Sequence, residues 1–287
     1  MKKEDIFPIG IGTFQLDLQN QKETNKGLLH SCELWQNYFD ISSKYEDWKV
    51  IKFLGNFIQQ LDRNNIFINC KISEEINSTE DIHHIINKNL ESLQTNYLDC
   101  IEFHAPKYSK IPLVESYKKL DLIKKSWKVK NIWISNASLP QLEEIQTEVS
   151  LDFFDWVFNL ECKINENIYI SDFCKKNNIT FVCYQPLRRN RTAKRNYPLL
   201  VELANKYKKT QNQIVLNRLI KEKNIIPIVK TTNKLRIKEN IESLDFLLKQ
   251  EDYNKMNNFR STEFDQIEID WEWKGGITID QLPNQFE

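Results

Sequence analysis

Short apolar runs alternating with stretches of helical period, with no linker between them, predict an α/β protein folded as a single (β/α)8 TIM barrel. The runs lie at 9–13, 38–41, 66–70, 97–103, 131–134, 156–160, 180–184 and 225–229, each of strand length. Between them, residues 48–61, 78–93, 113–127, 139–147, 168–177, 199–221 and 235–244 repeat their apolar positions every three or four residues. Such alternation implies parallel strands joined by right-handed crossovers, and eight units in 287 residues favour a closed barrel over an open doubly wound sheet. An open dinucleotide-binding sheet needs G-x-G-x-x-G opening a helix, whereas Gly10 and Gly12 lack a third glycine and sit within a strand. The barrel is expected over residues 1–261. Residues 262–287, with Trp271, Trp273, Gly275, Gly276 and Phe286, have no period and read as a tail that lines the substrate pocket, packs beneath the barrel or meets a second subunit.

At 40% apolar residues the chain has material for one full core. Forty basic and forty acidic residues cancel, which argues against a nucleic-acid surface or a polybasic membrane anchor. The expected partners are small molecules, for a monomer or small homo-oligomer. Cys32, Cys70, Cys100, Cys162, Cys174 and Cys183 occur singly, with no C-x-x-C and no histidine at a zinc spacing, so no metal site is expected. The N-terminus turns charged before any apolar stretch develops, and no apolar run approaches the roughly 20 residues of a membrane span. A reduced, cytoplasmic protein is the expectation.

Successive strand ends in the first half carry the chemistry. Asp40 ends the second strand, with Tyr45 in the turn beyond it; Lys71 ends the third and His104 the fourth. Barrel sites form at the C-terminal ends of strands, so these four groups converge on one rim. A phenol is a weak acid at neutral pH; a nearby ammonium lowers its pKa, and a carboxylate keeps that ammonium charged. An imidazole beside the phenol orients a carbonyl oxygen by hydrogen bonding. Taken singly, each residue is as readily a solvated loop group or a packed aromatic.

Across nearly its whole length, to about residue 259, the chain resembles the aldo-keto reductases. Gly10-Ile-Gly12-Thr13-Phe14 is similar to the family's GxGT[WF], and Asp40 and Tyr45 stand at the spacing of DxAxxY. Lys71 falls at the TK position, and His104-Ala-Pro matches HxP. Downstream, Trp133-Ile-Ser135-Asn136 resembles G[IV]SN, Trp156-Val-Phe-Asn159-Leu-Glu161-Cys resembles VNQxEC, and Tyr184-Gln-Pro186-Leu187 resembles YSPL. Residues 226–240 resemble IPKSxxxxRxxEN.

The resemblance implies NADPH-dependent reduction of an aldehyde or ketone, with Asp40, Tyr45, Lys71 and His104 catalytic and Tyr45 as proton donor. For the cofactor it implies Gly12, Thr13, Phe14 and Asp40 at the first strand ends and Ser135, Asn136 and Asn159 on the nicotinamide amide. Tyr184 would stack on the ring, Pro186, Leu187 and Arg189 would follow the pyrophosphate, and Lys230, Thr231, Thr232, Arg236, Glu239 and Asn240 would hold the adenosine end. Lys and Arg together suit a 2′-phosphate, hence NADPH over NADH; the same stretch also reads as a plain helix start capped by Thr232 or Asn233.

An alternative reading on the same fold is an NADP(H)-binding regulatory or redox-sensing protein with little turnover. Three departures from the family pattern bear on substrate. Glu46-Asp-Trp48 stands where glycine and a carboxylate usually follow the tyrosine, Ala105 replaces the aromatic after the histidine, and Trp133 replaces a glycine. Arg188, Arg189, Arg191, Lys194 and Arg195 crowd the seventh βα loop. They read either as a solvated loop touching pyrophosphate or as a site for an anionic, sugar-like substrate.

Overall fold

The computed structural model describes residues 3–162, 170–221 and 225–261. The predicted tail at 262–287 and the first residues of the helix expected at 168–177 lie outside them. Eight strands, β1 (Gly10–Gly12), β2 (Tyr38–Ser42), β3 (Phe67–Ile72), β4 (Leu98–Phe103), β5 (Val129–Ser135), β6 (Phe153–Val157), β7 (Thr180–Tyr184) and β8 (Ile225–Val229), close in chain order into a barrel. Every neighbouring pair is parallel, and β8 returns to β1. The helices are α1 (Gln21–Glu33), α2 (Lys49–Ile58), α3 (Thr79–Leu93), α4 (Leu113–Lys125), α5 (Leu139–Glu148), α6 (Ile170–Lys176), α7 (Arg191–Lys194), α8 (Pro198–Tyr207), α9 (Gln211–Lys221), α10 (Lys234–Ile241) and α11 (Gln250–Asn258).

Two-residue alternation divides each strand between the helices and the barrel lumen. Phe39 and Ile41, Ile68 and Cys70, and Ile101 and Phe103 pack outward into the core beneath the helices. Tyr38, Phe67, Trp133 and Phe153 fill the lumen as an aromatic floor. Trp133 stacks on Phe153 with centroids 4.7 Å apart and on Tyr38 at 6.0 Å, while Phe67 meets Tyr38 edge-on at 5.6 Å. Burying each phenylalanine contributes roughly 1.5–3 kcal/mol, enough to fix the strand register below the site. Two residues further along the same strands, the lumen turns polar.

Several elements differ from expectation, α7 and α11 among them, which no predicted stretch covers. The sixth strand runs Phe153–Val157 rather than 156–160, because the charged Asp155 interrupts its apolar run yet faces the lumen. The stretch at 199–221 is two helices: Lys208 takes a left-handed conformation after α8, and Thr210 and Gln213 cap α9 reciprocally through side chain and backbone. α1 was missing from the predicted elements because its inward face is Thr24, Gly27, Leu28 and Ser31 rather than an apolar stripe. A Cβ at Gly27 would overlap the carbonyl oxygen of Thr232, so this helix seats closely on the loop after β8. All six cysteines are free, and among the described residues no helix is long and apolar enough to cross a membrane.

Candidate active site

The four predicted catalytic residues meet at the C-terminal rim. Asp40 and Lys71 point into the lumen from β2 and β3 and are buried. Tyr45 sits in the turn after β2, its N–H donating to the Ser42 carbonyl at 3.1 Å. His104 stands one residue beyond β4 and donates its N–H to the Ile72 carbonyl at 2.9 Å. The Tyr45 ring is edge-on to His104 at 6.2 Å and to Phe14 at 5.3 Å. After Tyr45, Glu46, Asp47 and Trp48 all adopt positive φ, at 49°, 49° and 65°. Left-handed backbone costs non-glycine residues about 1–2 kcal/mol each. The turn is therefore strained where the family pattern supplies a glycine.

Lys71 has more partners than the expected one. Its Nζ lies 3.3 Å from Asp40 Oδ1 and 3.4 Å from Glu102 Oε1, and it is tighter still against Asp155 Oδ2. Asn69 Nδ2 donates to Asp40 at 3.1 Å and to Glu102 at 2.6 Å, and Ser135 Oγ donates to Asp155 at 3.4 Å. Oxygens of the three carboxylates lie within 4.8 Å of one another, with the ammonium as their shared partner. Neighbouring carboxylates at about 4 Å repel by roughly 4 kcal/mol at an effective dielectric near 20, and burial adds to this. Burial accordingly pushes Glu102 well above the usual carboxylate range and Asp155 up to about 6, against the pull of Lys71. Burial opposes the Lys71 charge, but Asp155, Asp40 and Glu102 together raise its pKa well above the ordinary lysine value.

The Tyr45 phenol departs from the expected direction. Burial and the Asp40 carboxylate push its pKa up, and the Lys71 ammonium pulls down without prevailing. His104 is held well below the usual histidine range by burial and by Lys71, Lys44 and Lys107, so its imidazole is neutral. Ser73 Oγ lies 2.8 Å from His104 Nδ1 and 2.9 Å from Ser42 Oγ, a hydroxyl pair that sequence reading had passed over. The wall lost at Ala105 is replaced from four residues beyond the histidine. Tyr108 stacks on His104 at 6.4 Å and accepts a hydrogen bond from Lys44 Nζ at 2.6 Å.

The expected cofactor residues divide into a wired group and an open group. Thr13 Oγ1 donates to the Asp40 carbonyl at 2.7 Å, tying β1 to β2 between Gly12 and Phe14. Asn136 Nδ2 donates to Ser135 Oγ and to the His104 carbonyl, both at 2.9 Å, and Asn136 Oδ1 accepts from the Tyr184 hydroxyl at 2.6 Å. Asn159 accepts from the N–H groups of Glu161 and Cys162 and donates to the Gln185 carbonyl, so both ends of its amide engage backbone. Pro186 and Leu187 are buried.

Lys230 and Arg236 are exposed, Thr231 and Thr232 half-buried, and Asn240 buried. Asn233 caps α10, accepting from the N–H groups of Leu235 and Arg236, and Glu239 accepts from Thr210 Oγ1 at 2.7 Å. An ammonium and a guanidinium beside the first turn of α10 suit a phosphate in charge and donor geometry.

The arginine-rich loop is not uniform. Arg188 is buried and paired with Glu161 at 3.0 Å, and Thr192 donates to the other oxygen of that carboxylate at 2.8 Å. Arg188 is thus part of the fold rather than a surface cation. Arg189 is exposed, with its guanidinium 5.6 Å from the centroid of the Phe14 ring. Arg188, Arg189 and Asn190 all have positive φ, a second left-handed turn across the rim from the one after Tyr45.

Comparison with known proteins places this geometry in context. Residues 8–261 match the Aldo/keto reductase family. The glyoxal reductase of Bacillus subtilis (strain 168) is 24% identical over 254 residues, spanning 88% of this chain and 89% of that protein. Dihydrodiol dehydrogenase 3 of Bos taurus is 27% identical over 288 residues, spanning 88% of each. An aldo-keto reductase from Klebsiella pneumoniae, solved in complex with NADPH, superposes with a TM-score of 0.79 at 18% identity over 88% of this chain and 90% of that one.

Proposed function

The chain belongs to the aldo/keto reductase family, and from that premise we propose that it reduces an aldehyde or ketone to the alcohol with NADPH, Tyr45 giving the proton. The reading rests on one observation above all: Tyr45, His104 and Lys71, from three successive βα junctions, converge on one stretch of the rim, with Tyr45 and Lys71 buried and His104 partly so. When bound, NADPH supplies the hydride to the carbonyl carbon. Lys230 and Arg236 hold its 2′-phosphate end, and Tyr184, Ser135 and Asn136 line the nicotinamide end. The chain's own residues do the remainder.

A Ser73 hydroxyl donating to His104 Nδ1 leaves the ring hydrogen on Nε2, which then donates to the carbonyl oxygen and fixes it. Tyr45 stays protonated in the resting site because burial and Asp40 oppose its ionisation. An alkoxide is a stronger base still, so the phenol releases its proton as charge develops on oxygen, and the Lys71 ammonium offsets the tyrosinate left behind. Tyr45→Phe is expected to bind NADPH nearly as wild type in a fluorescence titration while turnover falls by about 10²–10⁴. Full turnover in that variant would overturn the role of Tyr45. Tight NADPH binding by wild type with no turnover on any carbonyl would favour the regulatory reading instead.

An anionic carbonyl compound fits the mouth best. Lys44 and Lys107 both act on His104, and Arg189 covers Phe14, so cations surround the point where a substrate enters. Arg189→Ala combined with Arg191→Ala should raise the KM of carboxylated or phosphorylated aldehydes by about tenfold and spare neutral ones, as loss of a charge-assisted contact requires. Equal loss on both classes would restrict the loop to the cofactor.

A further inference from the structure

Holding one ammonium in place needs one carboxylate, and this barrel supplies three. Asp40, Glu102 and Asp155 project from β2, β4 and β6 into the same lumen layer, none more than 5% exposed at its side chain. With Lys71 the formal charge of the layer is minus two, among side chains that are all buried. Of the three carboxylates, Asp155 makes the shortest contact with Lys71, and it is supported from β5 by the Ser135 hydroxyl. Glu102 Oε2, Asp155 Oδ1 and Asn69 Oδ1 are buried acceptors with no hydrogen-bond partner among the described residues. Three orphan acceptors in one layer lack a donor, and a proton on one carboxyl supplies it.

We propose that Asp155 and Glu102 complete, with Asp40, a buried socket for the Lys71 ammonium, in which Asp155 is a positioning residue for the reduction and Glu102 carries a proton of the socket's own. The inference rests on the reading of Tyr45 as proton donor tuned by Lys71. Other titratable groups that sense the socket are Tyr38 from below, Tyr45, His104 and Tyr184 from the rim, the Cys100 thiol in the lumen and the Cys183 thiol behind the strand beside Asp155. Burial keeps both thiols and Tyr38 uncharged, and His104 is neutral, so the balance of charge lies among Lys71 and the three carboxyls.

A glutamine at 102 mimics the protonated acid, whereas an asparagine at 155 removes a charge that the socket uses. Asp155→Asn is therefore expected to lower kcat about tenfold or more, below the roughly hundredfold loss that a 1 Å misplacement can cause. The KM for NADPH should stay within about twofold, because uniform cofactor binding is untouched. Removing that negative charge also eases loss of the proton from Tyr45 and from Lys71, so the pH at which reduction is half lost should move down by about one unit. In wild type, infrared spectroscopy at pH 7 should show a protonated-carboxyl stretch that Glu102→Gln abolishes.

Turnover is measured on a nitrobenzaldehyde, with Tyr45→Phe in parallel. An inactive Tyr45→Phe beside an Asp155→Asn with wild-type kcat and profile leaves the proton donor standing and overturns the socket. An active Tyr45→Phe beside an impaired Asp155→Asn sinks the proton-donor role while supporting the socket. The infrared band decides the proton on Glu102 without reference to turnover or to the folding of Asp155→Asn: its absence from wild type overturns that assignment.

Discussion

The two ends of the proposed cofactor site are built on opposite principles. Around Lys71 the side chains are buried and tied to one another before any ligand arrives: Asn69 bridges Asp40 and Glu102, Ser135 supports Asp155, and Thr13 ties β1 to β2. At the start of α10, Lys230 and Arg236 are exposed, and Asn233 does no more than cap the helix. Charge that must act in a transition state gains from fixed surroundings and low dielectric. Charge that must capture a phosphate from water keeps its hydration until the ligand replaces it, and burying it beforehand would be costly. The contrast separates the groups proposed to tune chemistry from those proposed to hold the cofactor, and substitutions should separate them likewise.

The largest effect is expected from Lys71→Met. Removing the ammonium leaves three buried carboxyls unpaired, at a cost of about 3–5 kcal/mol at neutral pH, with turnover lost as well. Denaturant unfolding as a function of pH checks the sign. Asp155 already has a native pKa raised from 3.8 to about 6, so the stability it contributes is complete below pH 3.8 and lost as pH rises through about 6. Without Lys71 those native values rise further. The deficit against wild type should therefore widen towards neutral pH and narrow in acid, and a pH-independent deficit would mean the layer is held by packing rather than charge.

Next in size is Arg236→Ala. It should weaken NADPH by about 1.5–3 kcal/mol, as loss of a charged hydrogen bond does, and leave NADH binding and the unfolding midpoint unchanged. Equal weakening of both nucleotides would break the comparison by taking Arg236 off the 2′-phosphate. The smallest effect concerns the strained turn beside Tyr45. Asp47→Gly relieves a left-handed residue and should stabilise the fold by about 1 kcal/mol or less, since glycine also gains freedom in the unfolded chain. A denaturant midpoint that falls instead would show that the aspartate side chain, and not its backbone, sets the turn.

The barrel was legible because alternation and crossover length leave few other folds, and Asp40, Tyr45, Lys71 and His104 were legible because each follows an apolar run. Asp155 and Glu102 were hidden for the same reason. Inside a strand a carboxylate reads as an interruption, and Asp155 displaced the predicted sixth strand by three residues. Only closure of the barrel shows that both face Lys71. Counting cations likewise could not sort Arg188 from Arg189, since their roles depend on a left-handed turn that sends one inward to Glu161 and the other over Phe14. The α9 start, by contrast, could have been found from Thr210 and Gln213, whose spacing is that of a reciprocal cap.

Gly27 shows how one element's weakness can serve another. Alanine in its place would favour helix formation by about 1 kcal/mol, yet any side chain there would evict the Thr232 carbonyl. The helix concedes intrinsic stability so that the loop bearing Lys230 can lie flush against it. Tolerance to substitution at position 27 is thus inherited from the proposed nucleotide end of the barrel, and a bulky residue there would register first as altered coenzyme preference rather than as a melted helix.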